Sequence, residues 1–285
     1  MKKVLIVGYS RSGTTLVSKV FSLIDKVYVE VEPHATWRLG NFRYLNDEDY
    51  SISDKIVTRI REKLLKDVPS DYVFVEKSPI NSLRPHLVHA VFPDAKIIFI
   101  ERDPVKCIKS NYKFAKKGYS FSLSVILKKY SSTKVKFDKT NNNKKDNFHS
   151  KSIKEQIDFK DVFGLSLYAL QMSLIKMFKT VPFGPKIKGF TSIIKQKGLI
   201  AYYIEALKSV ETYRCDYERL YQDNFKHFYL EDFLANKEIQ RQMLEFSGVP
   251  YNNENLIEIE GLFSKSENSR EELLDRQIQK HLDDH

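Results

Sequence analysis

Cysteine is scarce in this 285-residue chain: two occur, Cys107 and Cys215, in no Cys-x-x-Cys or Cys/His spacing. That excludes a disulfide scaffold, suits a reducing cytoplasm and argues against structural zinc. The histidine pair His86 and His89 stands at a helical interval but is too little for a metal centre, so no metal is expected. No stretch approaches the roughly 18 unbroken apolar residues of a membrane span. Met1-Lys2-Lys3 runs straight into an apolar segment, so no cleavable leader is expected and the location expected is cytoplasmic. Acidic residues are outnumbered by basic ones, 37 to 47, which leaves a formal net charge of +10. Such a balance can mark a nucleic-acid binder. Its distribution argues otherwise, because residues 128–151 alone hold eight lysines against two aspartates. The same stretch carries Ser131-Ser132-Thr133 and Asn141-Asn142-Asn143 and few apolar residues. A solvated, mobile Lys/Asn/Ser-rich insertion is therefore expected at about 130–152. No RNA-recognition signature accompanies it, so no specific nucleic-acid partner is expected. Anionic substrates, or membrane headgroups in peripheral contact, are what such a basic loop would attract.

Apolar residues make up 42% of the chain, enough for one large α/β domain over residues 1–285. The most informative segment is Gly8-Tyr9-Ser10-Arg11-Ser12-Gly13-Thr14-Thr15. It follows the apolar run Val4-Leu5-Ile6-Val7 and precedes a helical pattern with Leu16, Val17, Val20, Phe21 and Ile24 on one face. A strand, a glycine-bounded loop and a helix together aim backbone N–H groups and a positive dipole end at one anion. The spacing is that of a nucleotide-binding P-loop, except that Thr14 stands where the phosphate-gripping lysine belongs. The cation sits three places earlier, at Arg11, and brings a planar fork. Loss of that lysine argues against an ordinary P-loop kinase or ATPase. Taken alone, the segment could also be a tight strand-to-helix turn.

Alternation predicts a second strand over Lys26-Val27-Tyr28-Val29-Glu30-Val31-Glu32, stopped by Pro33, and a third over residues 72–77. The continuously apolar Ile97-Ile98-Phe99-Ile100 predicts a central strand, and Lys226-His227-Phe228-Tyr229-Leu230 a last short one. Helices are expected over residues 54–65, 83–91 and 162–179, and from Asp103-Pro104 to about Lys116, with Asp103 as N-cap. A longer one over 192–223 should bend at Gly198 and near Cys215. Another should run from Glu231 to Phe246 with a break, closed by Gly248, and the polar tail should be helical from Asn268. Strands alternating with helices predict a single-domain, P-loop-like three-layer sandwich, a central parallel sheet covered on both faces.

Three further clusters fall at expected carboxyl ends of strands: Glu32-Pro33-His34, Glu76-Lys77-Ser78-Pro79, and Arg102-Asp103-Pro104 with Ser110 in the helix that follows. That is the edge where open α/β sheets bind ligands. With Phe92-Pro93-Asp94-Ala95-Lys96 and Tyr229-Leu230-Glu231-Asp232-Phe233, this set resembles the sulfotransferase family over most of the chain. Those enzymes move a sulfuryl group from 3′-phosphoadenosine-5′-phosphosulfate (PAPS) to a hydroxyl or amine and release adenosine 3′,5′-bisphosphate (PAP). The Arg-Ser-Gly-Thr-Thr form is most similar to the bacterial and Golgi tyrosyl-protein branches. The resemblance implies that Arg11, Ser12, Gly13, Thr14 and Thr15 bind the 5′-phosphosulfate and that Arg102 and Ser110 bind the 3′-phosphate. A transferring sulfuryl group carries less charge than a phosphoryl group, which makes Mg²⁺ less necessary.

By the same resemblance Glu32 is the expected base, and Arg11 and Lys77 are the cations that take up charge on the leaving phosphate. Glu30 is an alternative base because strand parity would place it on the face of Glu32; His34 is another. Lys77 could instead be a structural partner of Glu76 or Glu32. Residues 128–151, 183–190 and 266–270 are expected to wall the acceptor pocket or close over the nucleotide. The acceptor expected is a saccharide or glycolipid hydroxyl, with a peptide tyrosine or small metabolite as alternatives. Sixteen tyrosines and nineteen phenylalanines are compatible with such a site, although aromatic residues more often fill cores.

Overall fold

A computed structural model of the protein describes residues 1–117, 147–178 and 180–263. The two purest apolar runs lie side by side at its centre. β1 (Lys3–Val7) pairs in parallel with β4 (Lys96–Glu101), Val4 level with Lys96 and Val7 with Phe99. β3 (Val73–Lys77) flanks β1 on the other side, and β2 (Val27–Val31) lies beyond it. β6 (Phe225–Tyr229) forms one edge beside β4, and the two-residue β5 (Phe148–His149) forms the other beside β2. The six-stranded order is β5-β2-β3-β1-β4-β6, and every pairing is parallel.

Parallel neighbours need crossovers, and the crossover helices cover both faces of the sheet. Alternate residues of each strand feed opposite layers. Val4 and Ile6 pack with Val17, Val20 and Phe21 of α1 (Thr14–Ser22). That layer also takes in Leu230 and Phe233 of α9 (Leu230–Ala235), Met243 of α10 (Lys237–Ser247) and Ile259 of α11 (Asn253–Phe263). Leu5, Val7 and Phe99 face the other layer, built from α3 (Asp54–Leu65), α4 (Pro85–Val91), α5 (Pro104–Lys116) and the long α8 (Phe190–Tyr221). Three more helices pack into that layer: α2 (His34–Trp37), α6 (Ile153–Gln156) and α7 (Phe159–Phe178). Because β1 and β4 are neighbours whose following helices lie on opposite faces, a crevice opens at their carboxyl ends. Among the described residues no helix is long and apolar enough to cross a membrane.

Most expected elements are present. Asp103 caps α5, its Oδ1 accepting from Lys106 N at 2.8 Å, with Pro104 in the first turn. Gly198 interrupts α8 with φ 89° and ψ 175°. The bend expected near Cys215 is absent, because the ladder continues to Tyr221. The helix expected over 83–91 is a 3₁₀ turn (Pro79–Leu83) followed by α4, since Pro85 starts a new helix. α2, β5, α6 and α11 were not legible in the sequence.

The expected insertion at 130–152 needs correction at its end. Asn147 and β5 pair with β2, and Lys151 Nζ, nearly buried, donates to the Lys63 carbonyl and lies 3.6 Å from Glu30. Open N–H and C=O groups along β2 reward an edge strand whatever its composition. The rest of that segment, and the helix expected from Asn268, lie outside the described residues.

Candidate active site

The loop after β1 turns into α1 at Thr14. A Cβ on Gly8 would lie 2.4 Å from the Ile100 carbonyl oxygen, so only glycine lets the loop pass β4. Gly13 adopts φ 97°, where side chains are disfavoured. Arg11 also holds a left-handed conformation, φ 68°, which surroundings must enforce. They do: Arg102 Nη1 donates to the Arg11 carbonyl at 3.1 Å, and Arg11 Nε donates to Ser110 Oγ at 3.0 Å. The Arg11 guanidinium also lies 4.2 Å from the centre of the Phe114 ring. Ser10 is tied twice to Asn111, so α5 clamps the loop. Burial, and then the charge of Arg102, push the Arg11 pKa below its ordinary value.

Two buried polar atoms at this loop, Ser12 Oγ and Arg102 Nε, have no protein partner. Unsatisfied buried donors are costly, and here they accompany an arginine pair and a helix N-terminus. The donor set fits a doubly phosphorylated nucleotide. Arg11, Ser110 and Arg102 thus come together as expected, while Ser12 turns to the rear of the loop, into a smaller cavity of about 250 Å³ shared with Arg102.

Across the crevice, β2 and β3 deliver a second constellation. Lys77 Nζ lies 2.5 Å from Glu32 Oε1, and His34 Nε2 lies 3.5 Å from Glu32 Oε2. The Lys77 side chain is 1% exposed, whereas Glu32 remains 38% exposed. Burial pushes the Glu32 carboxyl up, but the Lys77 ammonium and His34 outweigh it and hold the group well below the usual carboxylate range. Glu76 is not the partner of Lys77. Its carboxyl accepts from Trp37 Nε1 at 2.9 Å and Asn81 Nδ2 at 3.1 Å, and burial pushes its pKa up to about 7.

Glu30 is corrected out of the site. Strand parity required β2 to continue through Glu32, but β2 ends at Val31 and Glu32 turns to φ 53°. Alternation is lost at that residue, and Glu30 stays fully buried in the sheet, level with Glu76 and facing Lys151. His34, by contrast, lines the cavity with Glu32.

Both constellations open into one cavity of about 560 Å³. Gly13, Thr14, Thr15, Arg11 and Arg102 contribute one part of its lining, and Glu32, His34 and Lys77 another. A model of the sulfotransferase domain matches residues 1–283. The chain belongs to the sulfotransferase family. It is a PAPS-dependent transferase, with PAPS as sulfuryl donor and PAP as product.

Solved structures similar to this sulfotransferase include one from Alicyclobacillus acidocaldarius, 15% identical, covering 93% of this chain and 92% of that one, with a TM-score of 0.45. The sulfotransferase domain of the Synechococcus PCC 7002 olefin synthase is 13% identical, covers 99% and 94%, and has a TM-score of 0.45. Mouse sulfotransferase SULT7A1 complexed with PAP is 14% identical, covers 95% and 69%, and has a TM-score of 0.41. No curated protein sequence matches this one.

The sulfotransferase cavity holds groups that no sequence motif announced. Arg38 lines it in a buried ion pair with Asp47, its guanidinium 4.2 Å from the centre of the Tyr168 ring. Residues 181–186 also line it, as expected for part of the 183–190 loop. Tyr9 and Tyr202 hydroxyls hold that loop through the Pro185 carbonyl, at 3.1 and 3.0 Å. The remaining expected wall segments, at 128–146 and 266–270, lie outside the described residues.

Proposed function

We propose that this sulfotransferase acts on a saccharide or glycolipid hydroxyl, with Glu32 as base and Arg11 and Lys77 as the cations at the leaving phosphate. The observation that carries the reading is the Lys77–Glu32 pair, lining the same cavity as the phosphate loop. Arg11, Gly13, Thr14 and Thr15 take the 5′-phosphosulfate, Ser12 facing the rear cavity instead, and Arg102 with Ser110 takes the 3′-phosphate. A bidentate arginine contact to the 3′-phosphate is one that ATP cannot use.

In the transfer, the acceptor oxygen forms a bond to sulfur while the bond from sulfur to the bridging oxygen breaks. The acceptor proton passes to Glu32, and the electron pair stays on the phosphate of PAP. A carboxylate held by Lys77 is anionic but weakly basic. Lys77 has one charge and two claimants, Glu32 and the oxygen of the leaving phosphate. As that oxygen gains charge, Lys77 serves it, and Glu32 becomes the stronger base when the acceptor loses its proton. The mixed apolar and polar lining supports an acceptor with both a hydrocarbon and a hydroxylated part.

PAPS consumption measured against sugars, glycolipids, phenols and tyrosyl peptides tests the acceptor. Turnover confined to tyrosyl peptides or small metabolites moves the reading to those classes. Thermal stabilisation by PAP should exceed that by Mg-ATP, and the reverse order would restore a P-loop kinase.

A further inference from the structure

We propose that the acceptor carries an anionic group, a carboxylate, sulfate or phosphate, bound by Lys186 beside the apolar wall of the cavity. This rests on the sulfotransferase reading of that cavity. Lys186 is nine-tenths buried and lines it. Its ammonium has three protons to donate, and its one described partner is the Gly184 carbonyl at 3.2 Å. Among the described residues no carboxylate lies within ion-pair distance of Lys186 Nζ.

The neighbouring carboxylates are committed. Asp47 accepts from the backbone N–H of Lys186 at 2.8 Å, pairs with Arg38 and lies 3.5 Å from Arg84. Asp49 serves His86 and the backbone N–H groups of His86 and Leu87. Arg84 donates to the Asp47 and Trp37 carbonyls and is fully buried, and Arg38 is held by Asp47, the Tyr44 carbonyl and the Tyr168 ring. Asp47 thus faces three cations, Arg38, Lys186 and Arg84, with Lys186 the one that makes no ion pair with it, and the surplus buried positive charge is costly unless an anion arrives. Ile80, Leu165, Val181 and Phe183 line the same space and suit a hydrocarbon or ring face. An anionic amphiphile satisfies both.

The test is calorimetric binding of octyl glucuronide and octyl glucoside, each below its micelle concentration, to the PAP-loaded protein. These probes differ by one carboxylate. The glucuronide should bind at least about tenfold tighter, Lys186→Gln should erase the difference, and Lys186→Arg should restore it. Equal affinities, or no binding of either, overturn the proposal. PAP binding is read separately in the same cell, so its loss would mark failure of the sulfotransferase reading instead. The wild-type comparison decides the matter even if Lys186→Gln does not fold.

A second, independent observation concerns α7. Phe163, Leu167, Leu170, Leu174 and Met177 recur at alternating four- and three-residue intervals, and Phe159 extends the row. All six are exposed, from 43% at Leu167 to 93% at Phe159. The opposite side of the helix is already spent, with Leu165, Tyr168, Ala169 and Met172 buried in the core. The geometry points to a second copy of this chain, docked through α7 as in a coiled-coil seam. Gly164, Ser166, Gln171 and Ser173 flank the middle of the seam without charge, and the exposed lysines of this helix, Lys160 and Lys176, lie near its two ends. The six side chains expose roughly 700 Å² per copy, more than monomers tolerate and close to one side of a standard interface.

Light scattering after gel filtration should show a dimer at micromolar concentration, converted to monomer by Leu170→Glu with Leu174→Glu. Both positions are exposed, so the fold should persist. A wild-type monomer, or a dimer unchanged in the variant, overturns the proposal. A monomer that sediments with phosphatidylglycerol vesicles through Phe163 would also overturn it and assign the face to lipid.

Discussion

Lys77 and Glu32 form a lopsided pair: the lysine is 1% exposed, the glutamate 38%, and 2.5 Å separates Nζ from Oε1. The buried partner is fixed by β3, and the exposed one hangs from a backbone turned to φ 53° beyond the end of β2. The charge that restrains the Glu32 carboxylate is thus rigid, and the carboxylate itself has room to meet a substrate.

Replacing Lys77 with methionine removes the largest influence that lowers the Glu32 pKa, leaving burial opposed by His34 alone. Turnover should fall by about 10² or more, from loss of the cation. The acidic limb of kcat/KM should move upward by at least about one pH unit. A pH profile with an unmoved limb would show that Glu32 does not titrate in the rate.

Arg102→Ala should abolish PAP stabilisation in a thermal shift assay, because it removes both the proposed 3′-phosphate ligand and the donor to the Arg11 carbonyl. Glu32→Gln should keep PAP binding within about threefold and lose about 10²–10⁴ in turnover. Full turnover in Glu32→Gln would pass the role of base to His34.

Gly8→Ala brings a methyl group against the backbone oxygen of Ile100 and against Ser12 Oγ, at 2.4 and 2.7 Å. Neither central strand can yield cheaply, so a loss of about 1–3 kcal/mol is expected. Thermal unfolding and PAP titration should both worsen. A variant with wild-type stability would mean that the loop can lift off β4.

Glu30 offers a test in pH. Burial pushes its pKa up to about 8 despite Lys151. Above the ordinary carboxylate range, near 4, the unfolded chain has released a proton that the folded chain keeps. Stability from this group therefore falls as pH climbs towards about 8. Glu30→Gln removes that dependence. The melting temperature of the variant, relative to wild type, should rise between about pH 5 and pH 8. A constant difference would show that Glu30 titrates normally.

Much of the fold was legible because its signals are local. Apolar runs such as Ile97-Ile98-Phe99-Ile100 can be satisfied only inside a sheet, and Asp103-Pro104 caps a helix with its own atoms. The phosphate loop is likewise contiguous, so its glycines, Arg11 and the two threonines could be read together. Glu30 was misplaced because parity holds only while a strand lasts, and nothing local announces that β2 stops at Val31. β5 was missed because two residues carry no period, and its pairing to β2 is supplied by the sheet.

The sequence by itself determined the glycine-bounded loop after the first strand, the parallel α/β architecture and the sulfotransferase family, since each rests on neighbours along the chain. Tertiary structure alone decided which groups share the cavity. The pairing of Lys77 with Glu32 rather than Glu76, the commitment of Asp47 to Arg38, and the tie between Asp47 and the Lys186 backbone are contacts between distant segments. Their energies depend on burial and distance, quantities that do not exist until the chain has folded.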